Sequence, residues 1–278
     1  MEVYVHGGVG EEPEGRTHSL APAVASGLEA VTALDAVELA VRALEDDAEL
    51  NAGFGSVLTR GGTLELDAGI ADGATERFGG VMGVTVRHPI TLARRVMENT
   101  PHALMWGAGA MVLGSDMEVL NATSENQEQR WRNQAGEHWS PVAGPGTDTV
   151  GAIARDDDGN LAAGSSTGGI FGKLPGRVGD SPIFGAGVYA SPKAAVVGTG
   201  IGEAFLADLA AARAGSLIEE GSHPQEACAE IVTLLGRRGP VLAALLALDA
   251  EGRVGAAFRG GHITVEGRGG RLPPLAVP

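Results

Sequence analysis

The sequence predicts an α+β fold in which helices pack on stacked β-sheets. Strand-like and helix-like segments follow one another in the order strands, helices, strands, helices, strands, which suits layered sheets better than a regular βαβ array. The 44 glycines show no Gly-X-Y period and therefore indicate many tight turns. With 278 residues, 44% of them apolar, the chain can bury the core of one large domain or two small ones.

The first half of the chain combines short strands with amphipathic helices. Residues 2–6 alternate in character and stop at a glycine turn over 7–10, which is typical of a strand that enters a turn. Apolar residues recur every three or four positions from Thr32 to Leu50, with Thr32 as the candidate N-cap. The other predicted elements are strands around 62–67 and 81–86, a helix over 89–99 and a short helix after Trp106.

The second half begins and ends with predicted β-hairpins. The first joins 149–155 to 161–166, and the second joins 242–248 to 254–258, each through a turn rich in Asp and Gly. Helical spacing predicts two helices between the hairpins, over 202–214 and 224–237.

A polar segment separates the two halves and ends at Thr149. Residues from about 115 to 148 have no strong periodicity, so the sequence predicts a mobile or functional loop that could be cut at little folding cost. A threonine at a new chain terminus would carry its own base, an α-amino group with a pKa of about 8. A cut before Thr149 would therefore create a nucleophile, whereas in an intact chain Thr149 only starts a strand.

The composition excludes several classes of function. The formal net charge of −15, from 35 acidic and 20 basic residues, opposes binding to nucleic acid or to anionic membranes. The single cysteine, Cys228, excludes an internal disulfide framework and is expected to be a buried small hydrophobe. No stretch reaches the roughly 20 apolar residues of a membrane span, and no secretory signal is evident. We therefore expect a cytoplasmic protein.

Two glycine-rich motifs compete for a catalytic interpretation. Gly164–Gly168 matches the G-x-S-x-G elbow, with Ser166 as the nucleophile, but the Gly/Pro-rich residues after it disfavour the required helix. Gly198–Gly202 opens a predicted helix and could offer backbone N–H groups to an oxyanion, although a plain helix-entry turn explains it equally well. The scattered histidines predict no catalytic metal.

A further interpretation joins residues from separate segments. Thr149 would attack, Thr167 could hydrogen-bond beside it, and Arg177 could clamp a carboxylate through its planar fork. Asp180 could accept an ammonium group. Arg177 and Asp180 also lie three residues apart in one loop, where a surface salt bridge is the simpler explanation. Taken singly, none of these residues decides the question.

Eight motifs in a fixed order carry a family resemblance. They are His6–Gly10, Ala33–Val37, Asn51–Leu58, Pro89–Ala93, Asp148–Ala152, Ser166–Gly169, Gly176–Pro182 and Thr199–Glu203. Together they resemble the plant-type L-asparaginases, also called isoaspartyl peptidases, which are N-terminal-nucleophile hydrolases. The resemblance runs through nearly the whole chain.

The resemblance implies an architecture and a maturation step. The expected fold is a four-layer αββα sandwich, a single domain over residues 1–278. The precursor is expected to cut itself between Asp148 and Thr149, giving an α chain of 1–148 and a β chain of 149–278. Two such heterodimers usually assemble, and the expected substrate is a small molecule or a dipeptide.

The resemblance also implies residue roles. Thr149 is the nucleophile, Thr167 positions it, and Thr199 with Gly200 forms the oxyanion hole. The residues implied to hold the substrate are Arg177 for the α-carboxylate and Asp180 for the α-amine, with Gly202 beside them. No cofactor is implied for catalysis. The backbone carbonyls of Leu44, Glu45, Ala52 and Phe54 are implied to hold a structural Na⁺.

The implied activity is hydrolysis of the side-chain amide of L-asparagine and of β-aspartyl dipeptides. Three departures bear on substrate preference: Gly172 stands where a Ser-Thr-Gly-Gly-x-x-Asn-Lys pattern has its amide, Phe171 adds an aromatic beside it, and Ile201 stands where a polar residue is frequent. Two alternatives stay open. One is an amidase similar to glycosylasparaginase, and the other is an uncleaved, catalytically impaired binding protein of the same fold.

Overall fold

Two β-sheets form the centre of the molecule in the computed structural model, which describes residues 1–10, 19–134 and 149–278. The strands are β1 (Glu2–Gly10), β2 (Leu66–Asp72), β3 (Arg77–Val84), β4 (Leu104–Trp106), β5 (Val150–Arg155), β6 (Leu161–Thr167), β7 (Val188–Ala190), β8 (Ala194–Gly200), β9 (Ala243–Asp249), β10 (Val254–Arg259), β11 (His262–Gly267), β12 (Gly270–Arg271) and β13 (Leu275–Ala276). One sheet has the order β12-β11-β1-β5-β6-β2-β3-β4, and the other has the order β13-β10-β9-β8-β7.

Helices cover the outer face of each sheet. They are α1 (Ala21–Leu28), α2 (Ala33–Glu45), α3 (Pro89–Asn99), α4 (Gly107–Leu113), α5 (Glu125–Gln134), α6 (Gly202–Asp208), α7 (Ala210–Glu219) and α8 (Pro224–Leu235). The first four pack on the larger sheet, and the last three pack on the smaller one. Within the described ranges, none of the helices is long and apolar enough to cross a membrane.

Three hydrophobic clusters confirm the predicted αββα sandwich. One lies between α1–α4 and the larger sheet, and it includes Val5 and Ala152. A second lies between the two sheets and includes Ile153 and Val197, and the third lies beneath α6–α8. Successive residues of a strand point to opposite faces of its sheet. Strand residues of the second cluster, such as Ile153, therefore face the space between the sheets, whereas those of the first cluster, such as Ala152, face the helices.

Helix α2 shows how the sequence sets a boundary. Thr32 Oγ1 accepts the Asp35 N–H at 3.1 Å, as expected of an N-cap, and Val37 and Val41 are among its fully buried residues. The predicted extension to Leu50 is wrong, because the helix ends at Glu45. Beyond it the chain turns, and Gly53 adopts φ +49°, a conformation that only glycine adopts readily.

The hairpin of β5 and β6 is confirmed, and it brings two threonines together. Asp156 Oδ1 accepts the N–H groups of Asp158 at 3.1 Å and Asn160 at 2.9 Å, which fixes the turn. The antiparallel register pairs Val150 with Ser166. Thr149 and Thr167, the residues that flank this pair, therefore lie at the same end of the sheet.

The predicted absence of structure over 115–148 is wrong in part, because α5 occupies Glu125–Gln134. None of its side chains is buried, so the segment has no apolar stripe from which a helix could be predicted. Trp131 anchors it by donating its indole N–H to the Thr59 carbonyl at 3.0 Å. Residues 135–148 lie outside the described residues.

Two other predicted boundaries are also corrected. The helix expected over 202–214 is two helices, because Leu209 between them has φ +49° in the left-handed region. The strand expected around 62–67 begins only at Leu66. Gly62, with φ +75°, forms a turn beneath Trp131, where a Cβ would lie 2.8 Å from the indole ring.

Candidate active site

The hydroxyl groups of Thr149 and Thr167 meet at the edge of the intersheet space. Thr149 Oγ1 donates to Thr167 Oγ1 at 3.1 Å, and Thr167 Oγ1 also accepts the Gly169 N–H at 2.9 Å. Thr149 is 7% exposed and Thr167 is 2% exposed. The two hydroxyl groups are therefore almost fully shielded from solvent. The turn after β6 fixes Thr167, and Thr149 directly precedes β5.

Strand β8 faces this pair from the smaller sheet. It packs against β5 and β6 across the intersheet core, and Ala195 and Val197 belong to that core. Thr199 follows them at the same two-residue spacing and is 1% exposed, so its side chain faces the larger sheet. Gly200 has φ +144°, and a Cβ there would collide with the Leu242 carbonyl, so this position requires glycine.

Arg177, Asp180 and Gly202 are brought together beside the start of α6. A Cβ on Gly202 would lie 2.7 Å from Asp180 Oδ1 and 3.0 Å from Arg177 Nη2. Arg177 and Asp180 do not form the surface salt bridge that their spacing in the sequence suggested. Instead Arg177 donates to Glu203 through Nε at 3.0 Å and Nη2 at 2.9 Å.

Asp180 is a buried carboxyl group with unused hydrogen-bonding capacity. It is 4% exposed, and its Oδ2 has no hydrogen-bond partner among the described residues. Burial raises the pKa of Asp180 to about 7, against the opposing charge of Arg177. A cation at this position would stabilise the ionised form and lower that pKa.

Comparison with known proteins identifies the family of the chain. A model of the family described as asparaginase matches residues 4–267, a range that contains every site residue above. The chain belongs to the asparaginase family. The match confirms the family resemblance that the eight motifs carry, and it confirms the αββα fold that this resemblance implies.

Several relatives cover most of this asparaginase-family chain. An isoaspartyl peptidase of Salmonella typhimurium is 42% identical over 88% of this chain and 84% of its own length. A plant-type L-asparaginase of Pyrobaculum calidifontis is 40% identical over 90% of each chain. An isoaspartyl peptidase of Escherichia coli is 43% identical over 82% of this chain and 76% of its own.

Asn51 holds the turn that follows Thr167. Its Nδ2 donates to the Gly169 carbonyl at 2.6 Å, and its Oδ1 accepts the Val57 N–H at 2.9 Å. Its own carbonyl accepts the Gly168 N–H at 3.0 Å. This residue lies in one of the eight motifs, but its role depends on a contact between distant segments that the sequence does not show.

A buried ion pair lies next to Thr167 and was not predicted. Asp67 is directly opposite Thr167 in the β2–β6 ladder. Lys173 Nζ lies 3.9 Å from Asp67 Oδ2 and donates to the Glu65 carbonyl at 2.8 Å. Both charged side chains are 1% exposed, and burial raises the pKa of Asp67 and lowers the pKa of Lys173. The ammonium group also lies beneath Gly169, where a Cβ would be 3.0 Å from Nζ.

Ser166 is not a nucleophile at this site. It is fully buried and precedes Thr167 on β6, so it points to the opposite face of the sheet, towards Glu45 of α2. After it comes β7, and the next helix is α6 at Gly202. The strand–turn–helix context of a nucleophile elbow is therefore missing at this motif.

The carbonyls implied to hold Na⁺ are only partly used by hydrogen bonds. The Phe54 carbonyl accepts the Ser124 N–H at 2.9 Å, whereas the single proton of the Thr123 hydroxyl is closer to the Ser56 carbonyl, at 2.5 Å, than to the Phe54 carbonyl, at 3.0 Å. The Leu44 and Ala52 carbonyls each accept one backbone N–H, and the Glu45 carbonyl faces Gly53. Clusters of three or more acidic, His or Cys side chains suited to a metal are absent from the described ranges.

Phe171, one of the departures, contacts α5. The Arg130 guanidinium carbon lies 4.2 Å from the centre of the Phe171 ring, within the range of a cation–π interaction. The loop after Thr167 is thus tied to the helix that precedes the predicted cut. Asp148, the residue before the cut, lies outside the described residues.

Proposed function

We propose that the chain cuts itself between Asp148 and Thr149 and then hydrolyses the side-chain amide of L-asparagine and of β-aspartyl dipeptides. The products are L-aspartate and either ammonia or an amino acid. The observation that carries the proposal is the buried Thr149–Thr167 hydroxyl pair, with a 3.1 Å contact, at the first residue expected after the cut. The names of the relatives support the choice of substrates.

The cut supplies the base that the intact chain lacks. In the precursor the Thr149 nitrogen is an amide and cannot take up a proton near neutral pH. Once released, the α-amino group can remove the proton from its own hydroxyl, as in other N-terminal nucleophiles. Thr167 then holds the hydroxyl in place from the neighbouring strand. We therefore expect no turnover from the uncut protein.

Attack by Thr149 Oγ1 on the substrate's side-chain carbonyl gives a tetrahedral intermediate. The Thr199 hydroxyl and the Gly200 N–H would stabilise its negative oxygen. Collapse breaks the carbon–nitrogen bond, and the α-ammonium group donates a proton to the leaving amine. Water then attacks the aspartyl ester, which releases aspartate and restores the threonine.

Arg177 and Asp180 would recognise the α-groups of the substrate. The buried Asp180 carboxyl group, with a free Oδ2, can accept the α-ammonium group, and the guanidinium can bind the α-carboxylate in bidentate fashion. The glycine at position 202 supports these two roles, because any side chain there would collide with the Asp180 carboxyl group and the Arg177 guanidinium group. Only substrates that carry both α-groups would then bind well.

Three substrates separate this proposal from its closest alternative. L-asparagine, a β-aspartyl dipeptide and a glycosylated asparagine should be assayed with the matured protein and with Thr149→Ala. Turnover of the first two by the wild type alone supports the proposal. Turnover of the glycosylated compound alone would favour an amidase similar to glycosylasparaginase, and no turnover of any, with an uncut chain, would favour the binding protein.

We also propose that two heterodimers assemble, that the protein is cytoplasmic, and that Na⁺ binds the loop over 44–54. The Leu44, Ala52 and Phe54 carbonyls each accept one backbone N–H and keep a second lone pair for Na⁺, and the Glu45 carbonyl is the fourth implied ligand. A higher melting temperature in NaCl than in choline chloride at equal ionic strength would support the Na⁺ site. Equal melting temperatures would contradict it.

A further inference from the structure

His6 lies in the strand next to the one that begins after Thr149. It is in β1 and pairs directly with Gly151 of β5. Directly opposed residues share a face of the sheet, and residues two apart on a strand share it too. The His6 ring therefore lies in the intersheet layer with Gly151 and Thr149, and it is fully buried.

Gly151 makes room for this ring. A Cβ at position 151 would meet His6 Nε2 first and would also lie 3.0 Å from Cδ2 and 3.1 Å from Cε1, closer than a Cβ normally approaches other atoms. The imidazole thus covers the backbone of β5 two residues after the predicted cut. A glycine in a strand commonly marks such a close approach.

The ring is neutral and faces the Thr149 backbone. Burial lowers the pKa of His6 to about 3, and the Thr149 backbone opposes this effect. That direction is expected when a ring N–H points at a carbonyl, since the charged ring would donate more strongly. Neither ring nitrogen has a partner of ordinary hydrogen-bond geometry in the part of the chain that the structure describes.

A purely space-filling role does not explain a histidine here. A buried donor without a partner costs about 1–3 kcal/mol, and an apolar side chain would fill the same space without that cost. Asn51 and Lys173 fix Thr167 and its turn, but they lie on the opposite side of the nucleophile from β1. On the side of β1, the His6 ring lies next to the Thr149 main chain.

We propose that His6 is a positioning residue for Thr149, and that its neutral imidazole, which lies beside the Thr149 backbone, donates a hydrogen bond to the Thr149 carbonyl once the cut frees that main chain to move. This rests on the proposed function of Thr149. The bond fixes the main chain that carries both the nucleophilic hydroxyl and the α-amino base. It matters most after the cut, when the covalent link to residue 148 no longer restrains that main chain.

Three substitutions test the hydrogen bond apart from packing. His6→Leu replaces the donor with an apolar side chain, whereas His6→Asn and His6→Gln each supply an amide NH₂ donor group at a different distance from the backbone. Val3→Ala, in the same strand but on the helix-facing side and fully buried, is the matched control for loss of stability alone. The rate of cleavage, kcat per released Thr149 amine, KM and melting temperature are measured for each.

We expect His6→Leu to lower kcat per released amine at least about tenfold, since small misplacements of a reacting group have effects of this size, with KM within about twofold. The better of His6→Asn and His6→Gln should recover most of kcat, and Val3→Ala should lose melting temperature but retain kcat. A His6→Leu protein that turns over at the wild-type rate contradicts the proposal. So does a loss of kcat in Val3→Ala that matches the loss in His6→Leu.

A measurement on the wild-type protein covers the case in which His6→Leu does not fold. With ¹⁵N-labelled histidine, His6 should show one ring N–H that exchanges slowly with solvent and does not titrate down to about pH 4. Rapid exchange or titration near pH 6.5 would overturn the proposal. If the wild-type chain never releases Thr149, the proposed function fails, and the role of His6 fails with it. If the wild type cuts and His6→Leu matches it, only the role of His6 fails.

Discussion

Glu203 holds one edge of the Arg177 guanidinium group. Its two oxygens accept from Nε at 3.0 Å and Nη2 at 2.9 Å, so the edge formed by Nη1 and Nη2 stays available for a second carboxylate. Bidentate pairing of this kind fixes the plane of the guanidinium group. Glu203 therefore orients the group that is proposed to bind the substrate α-carboxylate.

The first prediction is that Glu203→Gln raises KM about two- to fivefold while kcat changes less than twofold. The modest size follows because the Glu203 side chain is 59% exposed, and solvent-exposed ion pairs contribute little. Steady-state kinetics with a β-aspartyl dipeptide measures both constants. A lower KM would mean that Glu203 competes with the substrate instead of orienting Arg177.

The second prediction concerns pH and Asp180. Because its pKa is raised from 3.8 to about 7, the free protein holds a proton there below about pH 7. A ligand ammonium group requires the ionised form, so L-aspartate should bind up to about tenfold more weakly per pH unit as the pH falls below 7. Inhibition by L-aspartate at several pH values measures this.

Asp180→Asn is the control for that pH dependence. It should bind L-aspartate weakly at every pH, and its residual pH dependence should be flat between about 5 and 7. The same raised pKa predicts a stability effect in the free protein. The free energy of unfolding should fall as the pH rises from about 4 to 7, because the native carboxyl group keeps a proton that the unfolded chain has released. A wild-type L-aspartate affinity that is constant from pH 5 to 7 would refute the role of Asp180.

The third prediction is that Thr167→Val lowers kcat about 10- to 100-fold, because misplacing a reacting group by about 1 Å has effects up to this size. Valine has nearly the same shape but loses the contacts to Thr149 Oγ1 and to the Gly169 N–H. Thr167→Ser keeps both contacts and should stay within about fivefold of the wild type. If the valine variant retains full kcat, Thr167 does not position the nucleophile.

The fourth prediction concerns the buried Asp67–Lys173 pair. Lys173→Met should lower the free energy of unfolding by about 3–5 kcal/mol, because it leaves a carboxylate buried without its counter-charge. Combining it with Asp67→Asn should recover part of that loss. Urea unfolding of the two single variants and the double variant measures the coupling. Additive losses, each under about 1 kcal/mol, would show that the two charges do not interact.

The sequence predicts the local parts of this molecule well. The β5–β6 hairpin and the N-cap of α2 each depend on residues within a few positions of one another, and the structure confirms both. Helix α5 was missed because it buries no side chain, so its sequence carries no periodic signal. Strand β8 was missed although β6 and β9, which are equally buried, were predicted, because no Asp/Gly-rich turn of the kind that marks the two hairpins flanks it.

The same difference between local and long-range information applies to the site. Thr149, Thr167 and Thr199 could be proposed because they lie in motifs that a family resemblance identifies. The partners of these residues could not be, because each contact joins distant segments: Lys173 reaches Asp67, Asn51 reaches Gly169, and His6 lies over Gly151. Such contacts follow from strand order and register, which single-segment patterns do not encode.

The most direct test of the account is the identity of the chain termini in purified, aged protein. Intact mass and N-terminal sequencing should find two fragments, one that begins at Met1 and one that begins Thr-Val-Gly-Ala at Thr149. Thr149→Ala should remain a single inactive chain of 28.2 kDa. A wild-type chain that stays whole at that mass and still hydrolyses a β-aspartyl dipeptide would contradict the proposal that Thr149 must be released to act.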